Sequence, residues 1–381
     1  MNAPRVGIVG GAGHVGSALL KTLNTDYGVT AFGICRNSVS AARVASQGMP
    51  VRVAKTDDAA QLAEATKDLD ILVNCALPQY RPSKTLIANQ RLADSLVRAC
   101  VGKHLIHLSS VAVYGDFIPG CSSLFDNPRP DTLYGRQKLQ MEHLLRTLAK
   151  KYYTKCTILR VGHVYGAELL WSEAIFDLIK KEGFRLPFNG QLPSNAVWIT
   201  NLIAGIRELL FGEPVQATLN VVDSPQTTWR DIFDLHSQAS GNCAVKSLNQ
   251  FESERRFRER KRWAETGMTA RVVRETLRWA MHLPASYVAS VPTFKAMSQW
   301  AVAKIGSERL DAKLWAVHCK RFASGTKANA APDIPLIFIS EHVPGPCLSY
   351  KGNSPAESMA ALRVWHDAIS APHANAWRSI Q

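Results

Sequence analysis

The chain has 381 residues, enough for one large domain with an addition or for two domains, and long enough to bury a sizeable core. Hydrophobic residues make up 46% and charged residues 20%, which excludes a disordered chain, and no run approaches the roughly 18 apolar residues of a membrane span. The net charge of +14 suits an acidic ligand, a nucleic acid or a basic surface.

In chain order, the first 165 residues alternate short β-branched runs with longer stretches of helical periodicity. Strands are expected at Arg5 to Val9, Val29 to Ile34, Val51 to Ala54, Ile71 to Cys75, Leu105 to Ser109 and Thr157 to Val161. Between them "HVGSALLKTL", "AAQLAEATKD", "KTLIANQRLADSLVRAC" and "YGRQKLQMEHLLRTLAKKY" read as helices. That alternation predicts an α/β fold, a Rossmann-type doubly wound parallel sheet covered by helices on both faces. Further on, "EAIFDLIKKEG" and "WRDIFDLHSQASG" read as helices and "TLNVVDSP" as a strand with a turn. Next come "ESERRFRERKRW", a basic helix, and "TARVVRETLRWAMH", a helical pattern.

Leu283-Pro284 is the expected boundary. It leaves a domain at 1–283, with its core at 1–165 and a smaller substrate region at 166–283, and an extension at 284–381. The extension carries a long helix around Thr293 to Phe322, a strand-like "IPLIFISEH" and an amphipathic "PAESMAALRVWHDAI". The last is read as a cap on the core or a homodimer contact rather than a membrane anchor.

Much of the basic excess sits in residues 252–263, with six basic and three acidic side chains, read as a solvated helix face. Without stacking aromatics or a known module, nucleic acid is not the expected partner. The eight cysteines show no CxxC pair and no metal-ligand spacing, so they read as reduced thiols and the protein as cytoplasmic. His104 and His107 stand an odd number of residues apart on one strand and make a poor metal pair.

Chemistry first appears in "GIVGGAGHVGSALL", residues 7–20, where a strand runs through glycines into a helix. Gly10 permits a tight turn, Gly13 lets the backbone approach a pyrophosphate, and Gly16 allows close packing. The helix start then presents free N–H groups to phosphate, so a dinucleotide is the expected ligand. A second signal is Tyr134 and Lys138, a YxxxK pair one helical turn apart and therefore on one face. A free tyrosine, with a pKa near 10, is a poor base at neutral pH; an ammonium alongside favours the phenolate.

The GxxGxxG spacing, followed in order by "KTDD", "VNCA", "HLSSVAVYG", "YGRQK", "LRVGHVYG" and "WITNL", resembles the extended short-chain dehydrogenase/reductase superfamily, the epimerase/dehydratase-like branch, over about residues 4–283. The resemblance implies hydride transfer between a nicotinamide and a secondary alcohol or ketone. Tyr134 is then the acid/base, Lys138 its activator and ribose anchor, and Ser110 the ligand of the substrate oxygen, with Ser109 the alternative in a shifted register. Asp57 or Asp58 matches the adenine-contacting acid, Asp58 also reading as a helix N-cap. Asn89 matches a helix asparagine of structural role.

Cofactor choice turns on "AFGICRN". Dinucleotide folds that use NAD place an acid near there to hold the ribose 2′-hydroxyl. This chain has Cys35 followed by Arg36, which favours NADP(H) over NAD(H), because a guanidinium pairs with a 2′-phosphate. Val111 and Ala112 replace the acidic pair of sugar-nucleotide dehydratases, which disfavours dehydration. His163 stands where related nucleotide-sugar enzymes carry Asn near the phosphates, and Ser194 and Asn195 lie where those enzymes place Arg. His163 reads equally as a substrate contact and as a buried histidine. The expected partner is a small-molecule alcohol, ketone or sugar. Net oxidoreduction leads, with a sugar epimerase holding tight NAD(P) and an inactive cofactor-sensing regulator as alternatives.

Overall fold

The computed structural model describes residues 3–78, 82–115, 128–130, 132–181, 184–225, 227–241, 245–255, 348 and 355–370. The elements follow the expected alternation: β1 (Val6–Val9), α1 (His14–Thr25), β2 (Ala31–Cys35), α2 (Ser38–Ala45), β3 (Val51–Val53), α3 (Ala59–Ala65), β4 (Ile71–Asn74), α4 (Pro82–Ala99), β5 (His104–Ser110), α5 (Leu133–Lys151) and β6 (Lys155–Val161). Beyond them come β7 (His163–Tyr165), α6 (Leu170–Lys180), β8 (Ala196–Trp198), α7 (Ile199–Phe211), β9 (Thr218–Val221), α8 (Trp229–Ala239) and α9 (Pro355–Ser370).

Seven strands form one sheet in the order β3-β2-β1-β4-β5-β6-β9, every pairing parallel. This is the doubly wound Rossmann-type α/β arrangement. The order reverses between β1 and β4, so the loops beyond their carboxyl ends part and leave a crevice, the usual place for a ligand in such sheets. β1 and β4 are buried along their whole length because helices cover both faces, which is why they read as unbroken apolar runs. One core layer joins Leu72, Leu105 and Ile158 of the strands to Leu92, Leu96, Met141 and Leu145 of α4 and α5.

β7 and β8 make a separate two-stranded parallel sheet, with His163 opposite Ala196 and Tyr165 opposite Trp198. At three residues each they carry too little alternation to be read from sequence. Asp223 sets where α7 begins: its carboxylate accepts from the Trp198 N–H at 3.1 Å and from Asn201 Nδ2 at 2.8 Å.

Behind β5 and β6 runs a buried polar network. Arg160 Nη2 meets Glu142 Oε2 at 2.9 Å, and both side chains are almost wholly buried. Ser109 Oγ donates to Glu142 Oε1 at 2.5 Å, Arg160 Nη1 to Tyr114 Oη at 3.2 Å, and Tyr114 Oη to Asn220 at 2.7 Å. These bonds tie β5, α5, β6 and β9 together, and a charge pair so deep persists only because each lone pair has a donor.

The chain divides into two compact units, Met1–Arg185 with Gly190–Lys246 and Ile339–Gln381, and Leu186–Asn189 with Ser247–Phe338. The first holds the sheets and the nine helices named above. In the second, Leu186 bridges Ser247 in parallel, and the Phe188 N–H donates to Ser253 Oγ at 2.8 Å. The expected amphipathic segment of the extension is α9, which lies against α8 and α6; Phe176 stacks at 4.8 Å from His366 and 5.9 Å from Trp365. The Leu348 N–H donates to Asn220 O on the edge strand β9 at 2.7 Å. The helical readings at 269–282 and 293–322, the strand at 334–342 and most of the basic stretch lie outside the described residues. Cys35, Cys75, Cys100 and Cys156 are free thiols, and no described helix is long and apolar enough to cross a membrane.

Candidate active site

The glycine turn sits at the crevice and tests whether a dinucleotide fits. Gly10 adopts φ +85°, and a Cβ there would lie 2.9 Å from the Ala76 nitrogen on the loop after β4. A Cβ at Gly16 would lie 2.3 Å from Gly10 O, so α1 packs directly on the turn. Gly11, which the spacing argument passed over, stands back to back with Gly33 of β2, its Cβ position 2.8 Å from the Gly33 Cα. Gly13 differs: a Cβ there would meet only Gly10 O, at 3.3 Å, with open space otherwise. The protein's own packing therefore demands glycine at positions 10, 11 and 16, whereas at 13 the space is open and would admit a ligand. Gly13 also caps α1 without a side chain, and no acidic residue occupies the first turn, so the helix start is left for an anion. The residues present fit a dinucleotide.

At the end of β2, Arg36 is exposed and Cys35 is buried. Burial raises the Cys35 thiol above its ordinary range, against the Ala12 backbone and the Arg43 charge, so no negative group stands there at neutral pH. Arg43 of α2 reaches back to donate to Ala12 O in the glycine turn. Arg43 thus joins Arg36 as a second arginine near the end of β2, where an acid would hold a ribose. Arg43 escaped the sequence reading because it lies on a helix seven residues after Arg36. Asp58 is the N-cap of α3, accepting from the N–H groups of Ala60 and Gln61 at 3.1 and 3.0 Å, which leaves Asp57 as the exposed acid of that loop.

Ser110, Tyr134 and Lys138 are carried by β5 and by α5, which packs on the turn that follows that strand. Ser110 ends the strand, half-buried, and caps the following 3₁₀ turn (Val111–Tyr114) by accepting from the Ala112 N–H at 3.2 Å. Ser109 faces the other way; its hydroxyl is buried and spent on Glu142, which leaves Ser110 as the serine at the site. α5 begins at a Thr132 cap, Oγ1 accepting from the Gly135 N–H at 3.0 Å. Gly135 decides how close this helix comes: a Cβ there would lie 2.2 Å from Ala112 O. The next-door Tyr134 is thereby held against the turn that carries Ser110, itself 37% exposed. Lys138 is buried beneath it, its Nζ donating to Leu108 O at 2.7 Å and lying 5.8 Å from the centre of the Tyr134 ring. Gly135→Ala is expected to lower turnover at least tenfold with little change in dinucleotide affinity, measured by steady-state kinetics and a binding titration; unchanged turnover would remove α5 spacing from the account.

The two strand histidines face opposite sides, as their spacing requires. His107 Nδ1 meets Asn74 Nδ2 at 2.9 Å, His104 Nε2 meets Thr157 Oγ1 at 2.8 Å, and burial keeps both imidazoles neutral. Among the described residues no cluster of three or more His, Cys, Asp or Glu is placed to hold a metal. Asn89 is buried and donates to Gln140 Oε1 at 2.9 Å, joining α4 to α5.

One side of the site is built by the turn after β7. His14, at the start of α1, meets Glu168 O through Nδ1 at 3.1 Å. The Gly166 N–H donates to Ser172 Oγ at 2.8 Å, and His236 Nε2 accepts from that hydroxyl at 2.8 Å while its Nδ1–H donates to Ile232 O at 2.7 Å. Burial brings His236 down to about 4 from 6.5. The unfolded chain therefore binds a proton that the folded one refuses, and this residue costs stability as pH falls from the ordinary histidine value toward 4, by about 1.4 kcal/mol per pH unit. His236→Gln is expected to flatten that part of the slope in urea unfolding across this range; an unchanged slope would place the loss elsewhere.

Residues 6–181 match the model of the NAD dependent epimerase/dehydratase family. A dTDP-L-rhamnose 4-epimerase of Burkholderia thailandensis is 27% identical over 184 residues, 38% of this chain and 50% of that protein, so the chain spans about half the length of the curated relative that it matches. The UDP-N-acetylglucosamine 4-epimerase of Bacillus cereus superposes with a TM-score of 0.52 at 20% identity, over 65% of this chain and 86% of that one. A UDP-glucuronic acid 4-epimerase of the same organism, solved with UDP-glucuronic acid and NAD, gives 0.50 at 22% identity over 65% and 86%. At these identities the two structures attest the fold. Residues 6–181, the span that resembles the NAD dependent epimerase/dehydratase family, contain the glycine cradle and the Ser110, Tyr134 and Lys138 positions.

Proposed function

We propose that the protein is an enzyme that moves a hydride between a nicotinamide dinucleotide and a secondary alcohol or ketone, with net oxidation or reduction as the outcome. The reading rests on Lys138, whose Nζ lies 5.8 Å from the centre of the Tyr134 ring and donates to Leu108 O of β5, two residues before Ser110, on a strand next to the reversal point that holds the glycine cradle. Gly13 and the start of α1 hold the pyrophosphate, and Asp57 faces the adenine end. When bound, the nicotinamide supplies or accepts the hydride. In the oxidative direction Ser110 donates a hydrogen bond to the substrate oxygen, and Tyr134 Oη takes the hydroxyl proton. The buried Lys138 keeps its amino group 5.8 Å from the centre of the ring. Reduction runs the same proton back to the carbonyl oxygen.

NADP(H) is the cofactor this reading prefers, because Arg36 and Arg43 flank a neutral Cys35 and a 2′-phosphate meets two cations with no opposing carboxylate. Calorimetric titration is expected to give tighter binding of NADPH than NADH. Arg36→Ser with Arg43→Ser is expected to weaken NADPH on the order of 10- to 100-fold and leave NADH nearly unchanged. Tighter NADH binding by the parent would overturn the preference.

A second reading is favoured by the similarity to a sugar epimerase. In that case the same groups oxidise a carbinol, present its other face and return the hydride. Substrate turnover with a net change in nicotinamide absorbance supports oxidoreduction; a tightly held dinucleotide and inverted product with no net change supports epimerisation.

A further inference from the structure

His163 lies two residues past Val161, whose register partner across the sheet is Ser110. Eight residues further on, Trp171 is the second residue of α6, and between them Glu168 is tied to His14 at the start of α1. This stretch therefore runs from beside the reacting serine to beside the phosphate-facing helix. Along it the rings converge: His163 is 4.8 Å from Trp171 and 5.6 Å from Trp229, and the two indoles are 6.2 Å apart. Trp229 is wholly buried and forms the floor, whereas His163 and Trp171 keep part of their surface accessible.

His163 is packed against the two indoles, yet it remains partly accessible. Among the described residues neither of its ring nitrogens has a hydrogen-bond partner, in contrast to His104, His107 and His236. Burial lowers it to about 4, so it meets a ligand as a neutral imidazole, with one donor and one acceptor and no charge for a phosphate.

We propose that His163, Trp171 and Trp229 line a recess that is the substrate-recognition wall of the site and selects a flat, uncharged ring, stacked on the accessible part of the Trp171 indole and hydrogen-bonded by the imidazole, in place of a nucleoside diphosphate. A ring face against indole satisfies the quadrupole of each partner, and a single neutral polar group in an apolar wall fixes orientation. The substrate is then a secondary alcohol or ketone whose carbinol carbon is attached to such a ring. This deepens the proposed hydride-transfer reading and rests on it only for the identity of the reacting group.

The test is direct binding to the full-length protein, followed by titration calorimetry and saturation-transfer NMR, with acetophenone as the neutral aryl ketone and UDP as the diphosphate. Acetophenone is expected to bind the parent. Trp171→Ala and His163→Ala should each weaken it about tenfold, the equivalent of about 1.4 kcal/mol. Trp171→Phe should retain binding because a flat ring remains. UDP should neither displace acetophenone nor respond to these replacements. Equal unfolding midpoints and equal dinucleotide affinity establish that the variants are folded. Absent acetophenone binding, binding indifferent to both alanine variants, or displacement by UDP overturns the proposal. Nicotinamide absorbance is a separate readout: ring binding that depends on His163 and Trp171 without any hydride transfer sinks the oxidoreductase reading and leaves the recess standing.

Discussion

Tyr134→Phe is expected to lower turnover by about 100- to 10,000-fold, the usual worth of a positioned acid/base, while dinucleotide affinity and the unfolding midpoint stay at parental values. The side chain is 37% exposed, and the change removes one hydroxyl without opening a cavity or stranding a buried partner. The loss should fall on kcat, because the hydroxyl acts on a proton in flight while the aromatic ring that remains still covers Lys138. Ser110→Ala should lose less, since it removes one hydrogen bond to the substrate oxygen and leaves proton transfer intact. A Tyr134→Phe protein with turnover within tenfold of the parent would end the acid/base assignment and revive a cofactor-sensing role.

Glu142→Ala is expected to cost about 3–5 kcal/mol of stability, the range for breaking one partner out of a buried charge pair. Glu142 accepts from Arg160 Nη2 and Nε at 2.9 and 3.1 Å, from Arg146 Nη2 at 2.8 Å and from Ser109 at 2.5 Å. Removing the carboxylate leaves the Arg160 guanidinium, 2% exposed, without its counter-charge. The double variant Glu142→Leu, Arg160→Leu should lose less than Glu142→Ala, because it buries apolar volume where a charge was stranded. Urea unfolding of the three proteins checks the order, and a single-variant loss below about 1 kcal/mol would show that water or another side chain replaces the carboxylate. The network lies directly behind Ser110 and Lys138, so the same substitution should also raise the scatter of their positions and lower turnover.

The glycine turn, the six strands β1 to β6 and the Tyr134–Lys138 pair were all legible because each is a short-range pattern. A parallel strand buried on both faces must be apolar along its length, and a helix must repeat near every fourth residue. A backbone that turns at φ +85° or lies 2.3 Å from a carbonyl where a Cβ would stand admits only glycine. The choice between Ser109 and Ser110 was not legible in the same way. Neighbouring residues on a strand face opposite sides, and which side is buried depends on α5 bringing Glu142 to one of them.

Arg43 and the rings around His163 were hidden for a related reason. Arg43 carries no motif, and it matters because α2 folds back so that its guanidinium meets Ala12 in a turn 31 residues earlier. Trp229 is 66 residues from His163, separated by a two-stranded sheet too short to show periodicity. The C-terminal helix was recognised as amphipathic, but its apolar face does not say what it covers; the partners are Phe176 of α6 and the neighbouring α8.

By itself the sequence determined the α/β class, the glycine turn between β1 and α1 and the likeness of residues 6–181 to one family, because backbone sterics and local periodicity act over a few residues and leave their mark in residue type. Only the tertiary structure decided which serine is spent on Glu142, which of the glycines has open space beside it, that Gly135 lets α5 pack on the turn after β5, and that His163 packs against Trp171 and Trp229. Those are questions of which faces meet, and their answer depends on packing between segments far apart in the chain.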